Sequence, residues 1–128
     1  IENALVLTDV MRYNSAEVPT KVGTFSQYQY PHTLARYAEI GRFVGLTGKN
    51  DQEVFEKLLA KLEDLMRTIE IKPTIKDYGV DEKYFLDTLD DMVEQAFNDQ
   101  CTGANPRYPL MSELKEIYLK AYYGTENK

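Results

Sequence analysis

The two residue types most often used for nucleophilic attack and proton transfer near neutral pH each occur once in this 128-residue sequence, as Cys101 and His32. A cysteine attacks as its thiolate, so it needs a neighbour that lowers its pKa. His32, far away in sequence, gives no reason to expect one. A histidine-based metal site would need further ligands at workable spacing, and the sequence offers none. It also contains no glycine-rich phosphate loop and no serine with a visible base. On its residues alone, His32 beside Pro31 reads as a surface or capping residue. Cys101 reads as a small, inert, largely apolar one.

The densest irregular stretch is Asp99-Gln100-Cys101-Thr102-Gly103-Ala104-Asn105-Pro106-Arg107. Pro106 pushes Asn105 into an extended conformation. The side chains of Thr102 and Asn105 can satisfy loop backbone groups. Arg107 can pair with Asp99 or with a helix C-terminus. The residues by themselves fit a braced connection between two helices better than a substrate site.

Helices must position this loop, because every strong hydrophobic period in the sequence is near 3.6 residues and no stretch alternates like a strand. Residues 1–14 place Ala4, Leu7, Val10 and Met11 on one face. A long connection follows, holding Pro19, Gly23 and Pro31, in which Phe25, Tyr28 and Tyr30 should pack down. A second helix is expected over 31–44, with Pro31 in its first turn, Leu34, Tyr37, Ala38, Ile40 and Gly41 near one face, and Gly45 as its stop. The third begins at an Asp51 cap and is ended by Pro73, with Phe55, Leu58, Leu59, Leu62, Leu65, Met66 and Ile69 as its stripe. A helical turn over 74–78 stops at Gly79. Asp81 caps a fourth helix to about residue 98, lined by Phe85, Leu89, Met92, Val93 and Ala96. A last helix covers 112–123 and ends at Gly124, with Leu114, Ile117, Tyr118, Ala121 and Tyr122 on its buried side. The expected fold is all-α, a bundle of about five or six helices over residues 1–124 with a polar tail at 125–128.

Composition limits the partners. The formal net charge is −6. Seven carboxylates between Asp81 and Asp99 face only Lys83, the signature of a solvated helix face. Such a chain repels nucleic acid and anionic membrane surfaces. No run approaches the roughly 20 apolar residues of a membrane-spanning helix. One cysteine excludes a disulfide framework and suits a reducing, cytoplasmic setting.

The nine-residue loop, followed by a helix with an aromatic end at Tyr122-Tyr123, closely resembles the C-terminal end of the iron-containing alcohol dehydrogenases. Glu2-Asn3-Ala4-Leu5 with Arg12-Tyr13-Asn14 resembles that family's Asn-Ala motif and the helix after it. Tyr37-Ala38-Glu39-Ile40, and Ile75 with Tyr78-Gly79-Val80, fall in the family's order. Phe25-Ser26-Gln27-Tyr28 resembles the longer version found in bifunctional aldehyde-alcohol dehydrogenases.

The resemblance implies an enzyme of two domains. One is an α/β domain binding NAD. The other is a helical domain that helps an aspartate and three histidines hold a divalent iron, which polarises the alcohol or aldehyde oxygen during hydride transfer. In the family pattern the last ligand histidine lies just ahead of the segment matching Glu2-Asn3-Ala4, and His32 matches no ligand position. The expectation is therefore of a C-terminal piece without metal ligands or cofactor domain, inactive alone and binding neither iron nor NAD. Its partner would be the NAD-binding domain, and apolar surface left on the first helix would promote self-association. By the same resemblance Cys101 lines the cleft for substrate and nicotinamide, with Thr102, Asn105 and Arg107 shaping the loop around it. The implied reaction is the interconversion of acetaldehyde and ethanol. The alternatives are a single-activity enzyme for a diol or longer alcohol, and a helical interaction module with no enzymatic role.

Overall fold

A computed structural model describes residues 1–16 and 32–124, and these form helices without any strand. The order is α1 (Glu2–Ser15), α2 (Thr33–Phe43), α3 (Asp51–Thr68), a 3-10 turn (Lys76–Tyr78), α4 (Glu82–Asn98), a second 3-10 turn (Thr102–Ala104) and α5 (Met111–Tyr123). The all-α expectation holds. The expected packing of Phe25, Tyr28 and Tyr30, the placement of Pro31, the Phe25-to-Tyr28 segment and the 125–128 tail lie outside the described residues.

Two apolar clusters build the body. In the first, Met11 of α1 meets Phe55, Leu58 and Leu59 of α3, with Leu34, Tyr37 and Leu46 packed against them. Tyr37 stacks on Phe55 with ring centroids 5.5 Å apart. α2 can lie close to α3 because Gly41 has no side chain. A Cβ there would stand 2.6 Å from Val54 Cγ1, and Val54 is itself fully buried. In the second cluster, Phe85, Leu89 and Val93 of α4 meet Tyr122 of α5. Phe85 and Tyr122 stack at 4.2 Å. The Tyr122 hydroxyl donates to the Val80 carbonyl at 2.8 Å, so this buried phenol has its polar end satisfied. The Ile75 N–H donates to the Ala121 carbonyl at 2.9 Å, tying the first 3-10 turn to α5.

Capping chemistry sets the ends of the elements and corrects three expectations. Asn50, not Asp51, caps α3. Its extended backbone aims Oδ1 at the Glu53 N–H, 2.9 Å away, while Asp51 is already helical and pairs with Arg42 at 2.6 Å. α3 does not run to Pro73 but stops at Thr68. Glu70 turns left-handed at φ 61°, the Glu70 N–H reaches the Arg67 carbonyl, and the Ile71 N–H reaches the Met66 carbonyl. That is a Schellman ending with glutamate where glycine is usual. α2 ends in the same way through the expected Gly45, at φ 88°. Asp81 caps α4 as expected, accepting from the Tyr84 N–H at 2.9 Å. α5 starts one residue early, with the Glu113 carboxylate accepting the Leu110 N–H at 2.8 Å.

Some expected core positions are exposed. Leu65, in the last turn of α3, and Ile69, the residue just after it, are 55% and 58% exposed. Ile40 is half exposed, and Leu7 also reaches solvent. The buried face of α1 is largely polar: Thr8, Asp9 and Asn14 accompany Met11 inside. An apolar-period rule cannot find such a face, because what it buries is hydrogen-bonding surface.

Candidate functional site

The loop between α4 and α5 is braced at both ends by its own side chains. At its start, Asp99 Oδ1 accepts the Cys101 N–H at 2.7 Å, an Asx turn that lifts the chain off α4. The Thr102 hydroxyl donates back to the Ala96 carbonyl at 2.5 Å, closing one of the carbonyls that a helix end leaves open. The N–H groups of Thr102, Ala104 and Asn105 reach the carbonyls of Asp99, Cys101 and Thr102 at 3.1, 3.0 and 3.2 Å, forming the 3-10 turn. Pro106 holds Asn105 extended at φ −65°, ψ 140°, as expected.

At its far end the loop is locked to α1 and α5. Asn14 and Asn105 exchange side-chain hydrogen bonds. Asn14 Nδ2 donates to Asn105 Oδ1 at 3.2 Å, and Asn105 Nδ2 donates to Asn14 Oδ1 at 2.7 Å and to the Arg107 carbonyl at 2.5 Å. Arg107 does not pair with Asp99. It takes the other expected partner, a helix C-terminus, donating to the Tyr13 carbonyl in the last turn of α1 at 3.0 Å. It also pairs with Glu113 of α5 at 2.7 Å and lies over the Tyr13 ring, 3.9 Å from its centroid. The Tyr13 hydroxyl donates to the second oxygen of Glu113 at 2.7 Å. Glu113 thus accepts from three elements at once: the phenol of α1, the guanidinium of the loop and the N–H that opens α5.

Electrostatics follow from this geometry. Burial pushes the Glu113 carboxyl up, but the Leu110 N–H, the Tyr13 hydroxyl and Arg107 outweigh it and hold the group below the usual glutamate range. Burial, and then the bond to Glu113, push the Tyr13 phenol well above its ordinary value, so it stays a donor. The Arg107 and Glu113 side chains are only 15% and 28% exposed, which makes this pair worth more than the outlying surface pairs, such as Arg36–Glu39 and Lys83–Asp87.

Thr102 bonds to α4 at the start of the loop, Asn105 and Arg107 bond to α1 at its far end, and Cys101 lies in the turn between. The Cys101 thiol is exposed and free, and the bonds that hold the residue are those of its backbone. Sequence reasoning missed Tyr13, Asn14 and Glu113 as loop partners. Glu113 carried a usable signal, since a glutamate three residues into a helix reaches back to the residue that opens it. Nothing in the sequence joins position 13 to position 113. His32 is exposed and opens α2 without a side-chain capping bond. Elsewhere, a groove of about 640 Å³ runs between α1, the end of α3 and the end of α5, bordered by Arg12, Glu63, Lys72 and Lys120. Cys101 does not line it.

Among the described residues no three histidine, cysteine or acidic side chains are grouped to hold a metal ion. None of the described helices is long and apolar enough to cross a membrane.

Comparison with known proteins supplies the wider frame. Residues 2–122 match the model for the Fe-containing alcohol dehydrogenase family, C-terminal part. The chain is 49% identical over 128 residues to the bifunctional aldehyde-alcohol dehydrogenase AdhE of Escherichia coli, a match covering 98% of this chain and 14% of that protein. It is 43% identical over 122 residues to an aldehyde-alcohol dehydrogenase of Clostridium acetobutylicum, covering 95% of this chain and 14% of that protein. It is 33% identical over 124 residues to an NADPH-dependent butanol dehydrogenase of Clostridium saccharobutylicum, covering 97% of this chain and 28% of that protein. The chain thus spans a small part of the length of these relatives.

Proposed function

The chain belongs to the Fe-containing alcohol dehydrogenase family, and from that footing we propose that it forms one wall of the active-site cleft in an NAD-dependent enzyme interconverting acetaldehyde and ethanol. The observation that carries this reading is the 49% identity to a bifunctional aldehyde-alcohol dehydrogenase across 98% of the chain. Within the wall, Cys101 faces the substrate and the nicotinamide. Thr102, Asn105 and Arg107 fix the shape of the loop that presents it. Their part is to shape and close the cleft. Iron and NAD(H) are assigned to the rest of the dehydrogenase polypeptide.

Two measurements test this reading. The full-length dehydrogenase should reduce acetaldehyde with NADH. The purified 128-residue chain, titrated with ferrous ion and with NADH, should bind neither, and one-to-one binding of either would contradict the assignment. The butanol dehydrogenase match favours a second reading, a single-activity enzyme for a longer alcohol. A full-length enzyme that prefers butyraldehyde with NADPH over acetaldehyde with NADH would establish that alternative. We also infer that the isolated chain self-associates, since Ile1, Leu7, Phe43 and Ile69 all expose apolar surface. Light scattering that stays monomeric across concentrations would count against it.

A further inference from the structure

We propose that Glu113 is a positioning residue for the cleft: by clamping Arg107 and Tyr13 together, it fixes where the loop stands and hence where Cys101 is presented. The inference rests on the reading that Cys101 faces the cleft, but its structural half can be tested without it.

Glu113 is the point where α1, α5 and the loop meet. One oxygen takes Arg107 Nη2 at 2.7 Å, and the other takes the Tyr13 hydroxyl at 2.7 Å and the Leu110 N–H at 2.8 Å. Arg107 uses its second terminal nitrogen on the Tyr13 carbonyl at 3.0 Å and its flat face on the Tyr13 ring. The Arg107 carbonyl in turn accepts from Asn105 Nδ2. A chain of bonds thus runs from Glu113 through Arg107 to Asn105, whose N–H closes onto Thr102, the neighbour of Cys101. At the other end of the loop only Asp99 and Thr102 hold the turn, through contacts within the loop and to α4. Glu113 joins the loop to both α1 and α5, beside the Asn14–Asn105 pair that ties it to α1 and the Phe97–Tyr108 ring contact that ties it to α4.

A planar guanidinium that bridges a carboxylate, a carbonyl and an aromatic face cannot be replaced by a point charge. This separates positioning from mere charge balance. Glu113→Gln removes the charged acceptor, and Arg107→Lys keeps the cation but loses the fork. Tyr13→Phe keeps the ring stack and the ion pair and loses only the hydroxyl's bonds, to Glu113 at 2.7 Å and more weakly to the Tyr108 carbonyl at 3.4 Å, so it should have the smallest effect. It also covers the case in which either of the others fails to fold.

The experiment is amide hydrogen exchange on the full-length dehydrogenase, read at Thr102, Ala104 and Asn105, together with steady-state kinetics. Loss of charge-assisted bonds should speed exchange at these three amides by about ten- to a hundredfold in Glu113→Gln and in Arg107→Lys. Exchange at Leu89 and Val93 in α4 should stay unchanged. KM for acetaldehyde should rise more than kcat falls, because a displaced wall weakens binding more than it alters the chemical step. Loop exchange unchanged in Glu113→Gln, or wild-type exchange in Arg107→Lys, overturns the clamp. Faster loop exchange with unaltered KM and kcat leaves the clamp standing and overturns the placement of Cys101 in the cleft.

Discussion

The reciprocal Asn14–Asn105 pair offers the sharpest energetic test of how this loop is held. Asn14 is buried, and the two amides exchange bonds of 3.2 and 2.7 Å across 91 positions of sequence. Asn105→Ala removes three hydrogen bonds and leaves the Asn14 amide and the Arg107 carbonyl without that partner. Each buried group so stranded costs about 1–3 kcal/mol, so this substitution should destabilise the chain by about 2.5 kcal/mol. Asn14→Ala strands only the Asn105 side chain, which keeps its bond to the Arg107 carbonyl, and should cost about 2 kcal/mol. The double variant strands no amide against the other and should cost about 3 kcal/mol, less than the sum. The coupling energy is then about 1.5 kcal/mol, inside the range for residues in direct contact. Urea unfolding of the four chains measures it, with the midpoint moving and the slope constant if the folded ensemble is otherwise unchanged. If the two single effects add to within about 0.5 kcal/mol, the pair is not a unit and the account of the loop's far end is wrong.

Two further predictions concern stability. Glu70→Gly should raise stability by about 0.5–1 kcal/mol, because Glu70 occupies φ 61° at a helix end where a Cβ is penalised; a lower thermal midpoint would contradict this. The Tyr123 hydroxyl donates to Glu82 at 2.6 Å, and that bond, with burial second, lifts its phenol to about 12. A phenol raised above its unfolded value adds stability below pH 10 that is lost as pH climbs from 10 through 12. Tyr123→Phe should therefore flatten that alkaline loss, and ultraviolet titration should show wild type and variant gaining the same tyrosinate signal at pH 10.5. A smaller signal in the variant at that pH would mean that Tyr123 ionises normally.

How far the sequence revealed this molecule depended on what each face buries. α4 and α5 were legible because Phe85, Leu89, Val93, Ala121 and Tyr122 recur at helical spacing and are buried. The ends were legible where a cap carries its signal in one residue, as at Asp81, Gly45 and Gly79. They misled where two candidates adjoin, as at Asn50 and Asp51, or where a glutamate takes the left-handed position usually filled by glycine. α1 was read as an apolar helix, yet it turns Thr8, Asp9 and Asn14 inward, since its task includes gripping a loop by hydrogen bonds. The Thr102 and Asn105 side chains satisfy nearby carbonyls, those of Ala96 and Arg107, because small polar residues carry their turn chemistry locally. The partners Tyr13 and Asn14 lie more than ninety positions from the loop residues they hold, a separation that leaves no spacing to read.

The most direct check on the assigned cleft wall is the labelling rate of Cys101 by a maleimide in the full-length dehydrogenase, followed by mass spectrometry of the peptide that carries it, with and without saturating NADH. An exposed thiol facing bound nicotinamide should label freely in the unliganded enzyme and be shielded once the coenzyme is in place. Labelling at the same rate in both states would put Cys101 outside the cleft.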